Sequence, residues 1–119
     1  MQDYHKLKVW EKSHLLTKGI YELTKRFPRE ELYDMAQALR RTCMTIPMKI
    51  AEGCGRESDA ELLKCLWHAR GISSEVDYLI LLAKDLEYIT PETYEEYRIK
   101  IDEVMKMLSG FIKTINHGS

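Results

Sequence analysis

The sequence predicts an all-α protein, an antiparallel up-down-up-down four-helix bundle that occupies residues 1–119 as one domain. Three observations lead there. Apolar residues recur at alternating spacings of three and four in four separate stretches, and no stretch alternates with the period of two that a half-buried strand needs. Helix-starting residues stand between those stretches. The connections are only a few residues long, so consecutive helices should be neighbours running in opposite directions.

The first helix carries Val9, Ser13, Leu16, Ile20, Leu23 and Phe27 on one face. The second carries Leu32, Met35, Ala36, Leu39, Cys43, Ile46 and Ile50. Pro28 suits the first turn of this helix, with Glu30 and Glu31 complementing its positive end. Pro47 falls inside the stripe and has no N–H for the carbonyl of Cys43, so it should kink the helix without ending it. Gly53 then stands where a left-handed C-cap would close the helix.

A capping box, Ser58-Asp59-Ala60-Glu61, opens the third helix, whose stripe is Leu62, Leu66, Ala69, Ser73, Val76, Ile80 and Ala83. Thr90-Pro91-Glu92 supplies an N-cap, a first-turn proline and an acid for the fourth. Its stripe is Tyr97, Ile101, Val104, Leu108, Phe111 and Ile115.

The composition excludes several classes of function. The longest strongly apolar run, "YLILLA" (78–83), is far too short to cross a bilayer. The N-terminal "MQDYHKLKVWEK" has no apolar signal region, and three cysteines form no paired motif, so a cytoplasmic protein without a membrane partner is expected. Residues 1–57 hold 11 Lys and Arg against 8 Asp and Glu, while residues 58–119 hold 7 against 11. That asymmetry permits a basic face on a chain whose net charge is −1.

Motifs with chemical meaning are few. "GCGRES" (53–58) lies just ahead of a helix, where free N–H groups attract anions. It follows no strand and matches neither nucleotide-binding glycine pattern, so a structural turn is the better reading. Glu11 and His14 have the E-x-x-H spacing of dimetal bundles, but no second copy exists, and no metal site is assigned. Cys65 and His68 are one turn apart, which permits a thiolate–imidazole pair, yet nothing supplies an oxyanion stabiliser. No catalytic residue and no cofactor are expected.

Binding features are more numerous. Trp10, His14, Thr17, Tyr21 and Thr24 make a second face on the first helix, and Leu63, Trp67, Leu79 and Leu82 widen the apolar sector of the third. A helix of a monomeric bundle needs one buried sector, so a homo-oligomer is expected, with Trp10, Tyr21, Arg40, Leu63, Trp67 and Leu82 at the contact. Arg40 shares its strip with Met44, Pro47 and Ala51 and should pair with an acid or cross an interface. Gly19 and Gly71 each cost about 1 kcal/mol relative to Ala in a helix. Close helix approach would justify them; toleration at the surface is the alternative. Lys6, Lys8, Lys12, Arg41, Lys49 and Arg56 are the candidate nucleic-acid contacts, weighed against ordinary solvated charge.

Three segments carry a family resemblance: "LKVWEKS", "FPREELYDMAQALRRTCMTIPMKIAEGCGRES" and "ARGISSEVDYLILLA". The chain resembles the 23S ribosomal RNA intervening-sequence proteins, relatives of the accessory variability determinants of diversity-generating retroelements. The resemblance implies an antiparallel four-helix bundle assembled into a pentameric ring without catalytic activity. It also implies partners: a second copy of the chain, RNA or DNA on a basic surface, and a reverse transcriptase or ribosomal component. The family pattern has glycine-leucine where this chain has Asp34-Met35, and serine-asparagine where it has Met48-Lys49. The sequence pI of about 6.4 is unlike the basic retroelement branch. A protein-interaction scaffold that binds no nucleic acid is therefore the alternative reading.

Overall fold

Each apolar stripe forms a helix. The computed structural model describes residues 3–31 and 33–118. Among them are helices α1 (Lys8–Thr24), α2 (Met35–Cys54), α3 (Asp59–Asp85) and α4 (Pro91–Gly118), two short 3-10 turns (Tyr4–Lys6 and Arg29–Glu31) and no strand. Successive helices pack on one another, and α1 also meets α4, around one core. The stripes of α1 and α3 are buried throughout, as are the stripe residues Met35, Ala36, Leu39, Cys43, Ile46 and Ile50 on α2. Leu32, expected to open the second stripe, lies outside the described residues.

Buried hydroxyls are satisfied within their own helices. Ser13, Thr17, Thr24 and Ser73 donate to the carbonyls of Trp10, Ser13, Ile20 and Ala69 at 2.8–2.9 Å. Such bonds let a small polar group enter the core without an unpaired donor. Side chains also join the helices. Thr24 meets Arg40, Tyr21 meets Met44 and Thr17 meets Cys43 across α1 and α2. Across α1 and α4, Lys12 meets Glu103 and Gly19 meets Tyr97.

Helix α2 continues through Pro47, as expected, and runs to Cys54. The proline removes the N–H that would reach Cys43, and the Thr17 hydroxyl of α1 stands 3.5 Å from the Cys43 carbonyl and 3.6 Å from its sulfur. Burial pushes the Cys43 thiol up to about 11, so it is a packing group and not a nucleophile.

Three boundary details differ from expectation. Pro28 precedes the separate Arg29–Glu31 turn, and α2 begins only at Met35, with Asp34 as N-cap. Asp34 makes no side-chain capping bond. Gly53 is not a left-handed cap. The helix runs through it to a right-handed Gly55, and no described glycine has positive φ. What Gly53 provides is closeness: a Cβ there would lie 2.8 Å from Leu62 Cδ1 and 3.0 Å from Cys65 Cβ. On α4 the last buried position is Ile112, while Phe111 and Ile115 are only half-buried.

The caps of α3 and α4 form as expected. Ser58 Oγ accepts from the Glu61 N–H at 3.2 Å, and Thr90 Oγ1 accepts from the Thr93 N–H at 3.1 Å. Helix α3 ends in a feature the sequence conceals. Tyr88 N–H donates to the Ala83 carbonyl and Glu87 N–H to Lys84, a Schellman closure. Glu87 occupies its left-handed position at φ 65°, where glycine is usual.

Candidate nucleic-acid interface

Arg40 illustrates how side chains on the outer seam of α1 and α2 are held. Its Nε donates to Thr24 Oγ1 at 2.6 Å, its Nη2 approaches the Tyr21 carbonyl at 3.4 Å, and its guanidinium lies 5.0 Å from the Tyr21 ring centre. Among the described residues it has no ion pair, so of the two expectations for it the acidic partner is not met within the chain. A carbonyl near the end of α1 and an aromatic face take that place.

The six candidate cations have different surroundings. Lys6 lies in the first 3-10 turn and Lys8 opens α1, both exposed. Lys12 turns to α4 and faces Glu103 at 3.5 Å. Arg41 is exposed on α2. Only Lys49 and Arg56 are brought together, both on the carboxylate of Glu52. Lys49 Nζ reaches Oε1 at 2.9 Å, and Arg56 Nη2 reaches Oε2 at 2.6 Å.

Around that triad opens a cleft of about 330 Å³ between the end of α2 and the start of α3, lined also by Glu61, Lys64, Cys65 and His68. Sequence reasoning missed Lys64. It stands four residues before His68, on the edge of α3 that turns toward α2, and a helical projection of α3 would have paired them. Three permanent cations thus meet two carboxylates in one open cleft. Among the described residues, neither Lys64 nor His68 has an ion-pair partner.

Lys49 and then Arg56 hold the Glu52 carboxyl down to about 2, against an ordinary value of 4.5. A depressed carboxylate contributes to stability above its unfolded value and loses that contribution as pH falls through its folded one. Glu52 should therefore keep its charge down to about pH 2, with its contribution fading from about 4.5 downward. Carbon-detected NMR of the Glu52 carboxyl checks this. A midpoint at the ordinary value would mean that the two bridges do not persist in solution.

Other clefts open elsewhere on the molecule. One of about 620 Å³ lies where the ends of α1 and α3 meet the start of α4, and mixes Arg26 and Lys84 with Asp85 and Glu87. A groove of about 530 Å³ between α2 and α3 is lined by Ala38, Thr42, Tyr78 and Leu79 among others. Among the described residues, no group of three or more His, Cys, Asp or Glu could hold a metal ion. No described helix is long and apolar enough to cross a membrane.

The residues assigned to subunit contact have varied surroundings. Leu63 and Leu82 are half-buried against the core. Trp10 is half-buried too, with Tyr4 at 4.9 Å and His14 stacked at 5.0 Å and 6°. Tyr21 is exposed beside Met44, and Trp67 is 57% exposed. Gly19 has the close contact expected of it, since its carbonyl accepts from Tyr97 Oη at 3.0 Å. Gly71 has open space instead.

Comparison with known proteins adds context to this geometry. The family model described as 23S rRNA-intervening sequence protein matches residues 5–110. A solved structure from Bacteroides thetaiotaomicron, a protein with unknown function from the S23 ribosomal protein family, superposes with a TM-score of 0.83. The two are 30% identical, over 89% of this chain and 96% of that one. No protein of curated function matches the chain. Neither similarity points to a catalytic family.

Proposed function

This chain belongs to the 23S rRNA-intervening sequence protein family, and on that premise we propose a non-catalytic protein that assembles with copies of itself and associates with RNA or DNA. The protomer is a single-domain antiparallel up-down-up-down bundle, a reading supported by the opposed numbering of contacts across α1–α2 and α1–α4. The nucleic-acid part rests on one observation: Lys49, Arg56, Lys64 and His68 converge on the α2–α3 cleft. Cations at such a cleft suit phosphodiesters without discriminating between bases.

Assembly is supported by apolar side chains left outside the core, including Met44, Met48 and Tyr78. The pentameric ring follows from the family resemblance, and a ring would repeat the cleft once per subunit. A cytoplasmic setting suits such a role, with a reverse transcriptase or ribosomal component as a further partner. The scaffold reading is favoured by a different fact, the neutralisation of Lys49 and Arg56 by Glu52 and of Lys12 by Glu103.

Light scattering after size exclusion should give a species several times the 14.0 kDa chain. A monomer at every concentration would overturn assembly. Fluorescence anisotropy with a labelled structured RNA should give binding that weakens steeply with salt. No binding at about 50 mM salt, where phosphate contacts are strong, would leave the scaffold as the function.

A further inference from the structure

We infer that the face of α3 around Trp67 is a stacking platform for unpaired nucleotides, their phosphates seated in the α2–α3 cleft; this inference rests on the nucleic-acid reading above. Trp67 is 57% exposed and, among the described residues, has no ring or cation stacked on it. The other tryptophan differs: Trp10 is enclosed by Tyr4, His5 and His14. An unpartnered indole on a helix surface is a large apolar face kept in water.

Its neighbours say what would cover it. Lys64 stands one turn before Trp67 and His68 directly after it, and both line the cleft. Side chains on a helix lean toward its N-terminus, which directs Trp67 over the turn that carries Lys64. On the other side, position 71 is glycine, and a Cβ there would meet nothing within 4 Å. Arg70 is drawn away, its Nε donating to Ser109 Oγ on α4 at 3.0 Å. The ring is therefore left open on the side away from the cleft.

A cation and a free aromatic face about 4.5 Å apart along a helix match the two halves of a nucleotide, its phosphate and its base. Single-strand binders combine these elements, because every base has a face that can stack on an aromatic ring. In a duplex the bases cover one another, so the platform selects unpaired segments. A protein partner would have to desolvate Lys64 and His68 along with the indole, and the cores of protein interfaces are depleted of charge.

The test uses the full chain. Trp10→Phe leaves Trp67 as the single tryptophan, and titration with a short oligouridylate should quench its emission, while a duplex of equal length should not. Trp67→Leu, an apolar side chain without a ring, should weaken oligouridylate binding about tenfold, and Trp67→Phe should retain most of it. Circular dichroism verifies that each variant folds. The inference is overturned if Trp67→Leu binds like the parent, if duplex binds as tightly as single strand, or if Trp67→Leu lowers the particle mass, which would make the indole a protein contact. Binding by the parent with an indifferent Trp67→Leu defeats this inference alone. No binding of any nucleic acid by the parent defeats the reading beneath it as well.

Discussion

Gly53→Val is expected to destabilise the fold by about 3 kcal/mol in urea titration, the upper end of ordinary overpacking. Two opposed terms decide the sign. Removing a helical glycine is worth about 1 kcal/mol in Ala's favour. Against that, the new Cβ would meet Leu62 Cδ1 at 2.8 Å, Cys65 Cβ at 3.0 Å and the Leu62 carbonyl at 3.4 Å. The leucine tip can rotate at some cost, but the Cys65 Cβ is one bond from its backbone, so α3 itself must shift. Leu62 and Cys65 are both buried, so moving them disturbs close-packed neighbours.

Gly53→Ala should therefore lose about 1–2 kcal/mol despite its better helix propensity, and the two γ-methyls of valine add to that loss. Gly71→Ala is the control, since its Cβ enters open space and should gain up to about 1 kcal/mol. Equal gains from both alanines would show that α2 and α3 do not approach as closely at Gly53 as described.

The contrast between these glycines marks where sequence reasoning stops. Periodicity located the buried faces because burial follows helix geometry: Ile20, Leu39, Leu66 and Ile101 all lie on predicted stripes and are fully buried. Caps were legible for a similar local reason, as Ser58 and Thr90 act within one turn. Gly53 was misjudged because a glycine near a helix end suggests a cap, whereas its actual constraint comes from a residue nine positions later on another helix. The Arg40 contacts, to Thr24 and Tyr21, span 16 and 19 residues and leave no local trace. Of the candidate cleft, Lys49 and Arg56 were named from their charge alone. Lys64 and His68 joined them only once α3 was laid beside α2, since charge counting does not say which helix edges meet.

Glu52→Gln is expected to strengthen nucleic-acid binding, an effect opposite in sign to most interface substitutions. The carboxylate is shared by Lys49 and Arg56 at 2.9 and 2.6 Å, so both cations are occupied in the free protein. A phosphate entering the cleft must compete with Glu52 and also suffers its repulsion. The amide of glutamine keeps the shape and removes both obstacles. Each further phosphate neutralised steepens the dependence of log affinity on log salt by about 0.7 for single strands or 0.9 for duplex. Two freed cations should therefore add about 1.5 to the slope and raise affinity about tenfold near 50 mM salt. Lys49→Glu with Lys64→Glu should do the reverse, flattening the slope by about two and weakening binding on the order of a hundredfold. In a ring these changes multiply, because linked weak sites combine through effective concentration. Anisotropy titrations at about 50 and 150 mM salt measure both slope and affinity. The opposed signs are decisive, since a variant that merely damages the fold can weaken binding but cannot strengthen it. If Glu52→Gln binds as the parent does while the double reversal still abolishes binding, the phosphates lie on Lys64 and its exposed neighbours and not at the Glu52 triad. If neither variant changes binding, the cleft is not the interface.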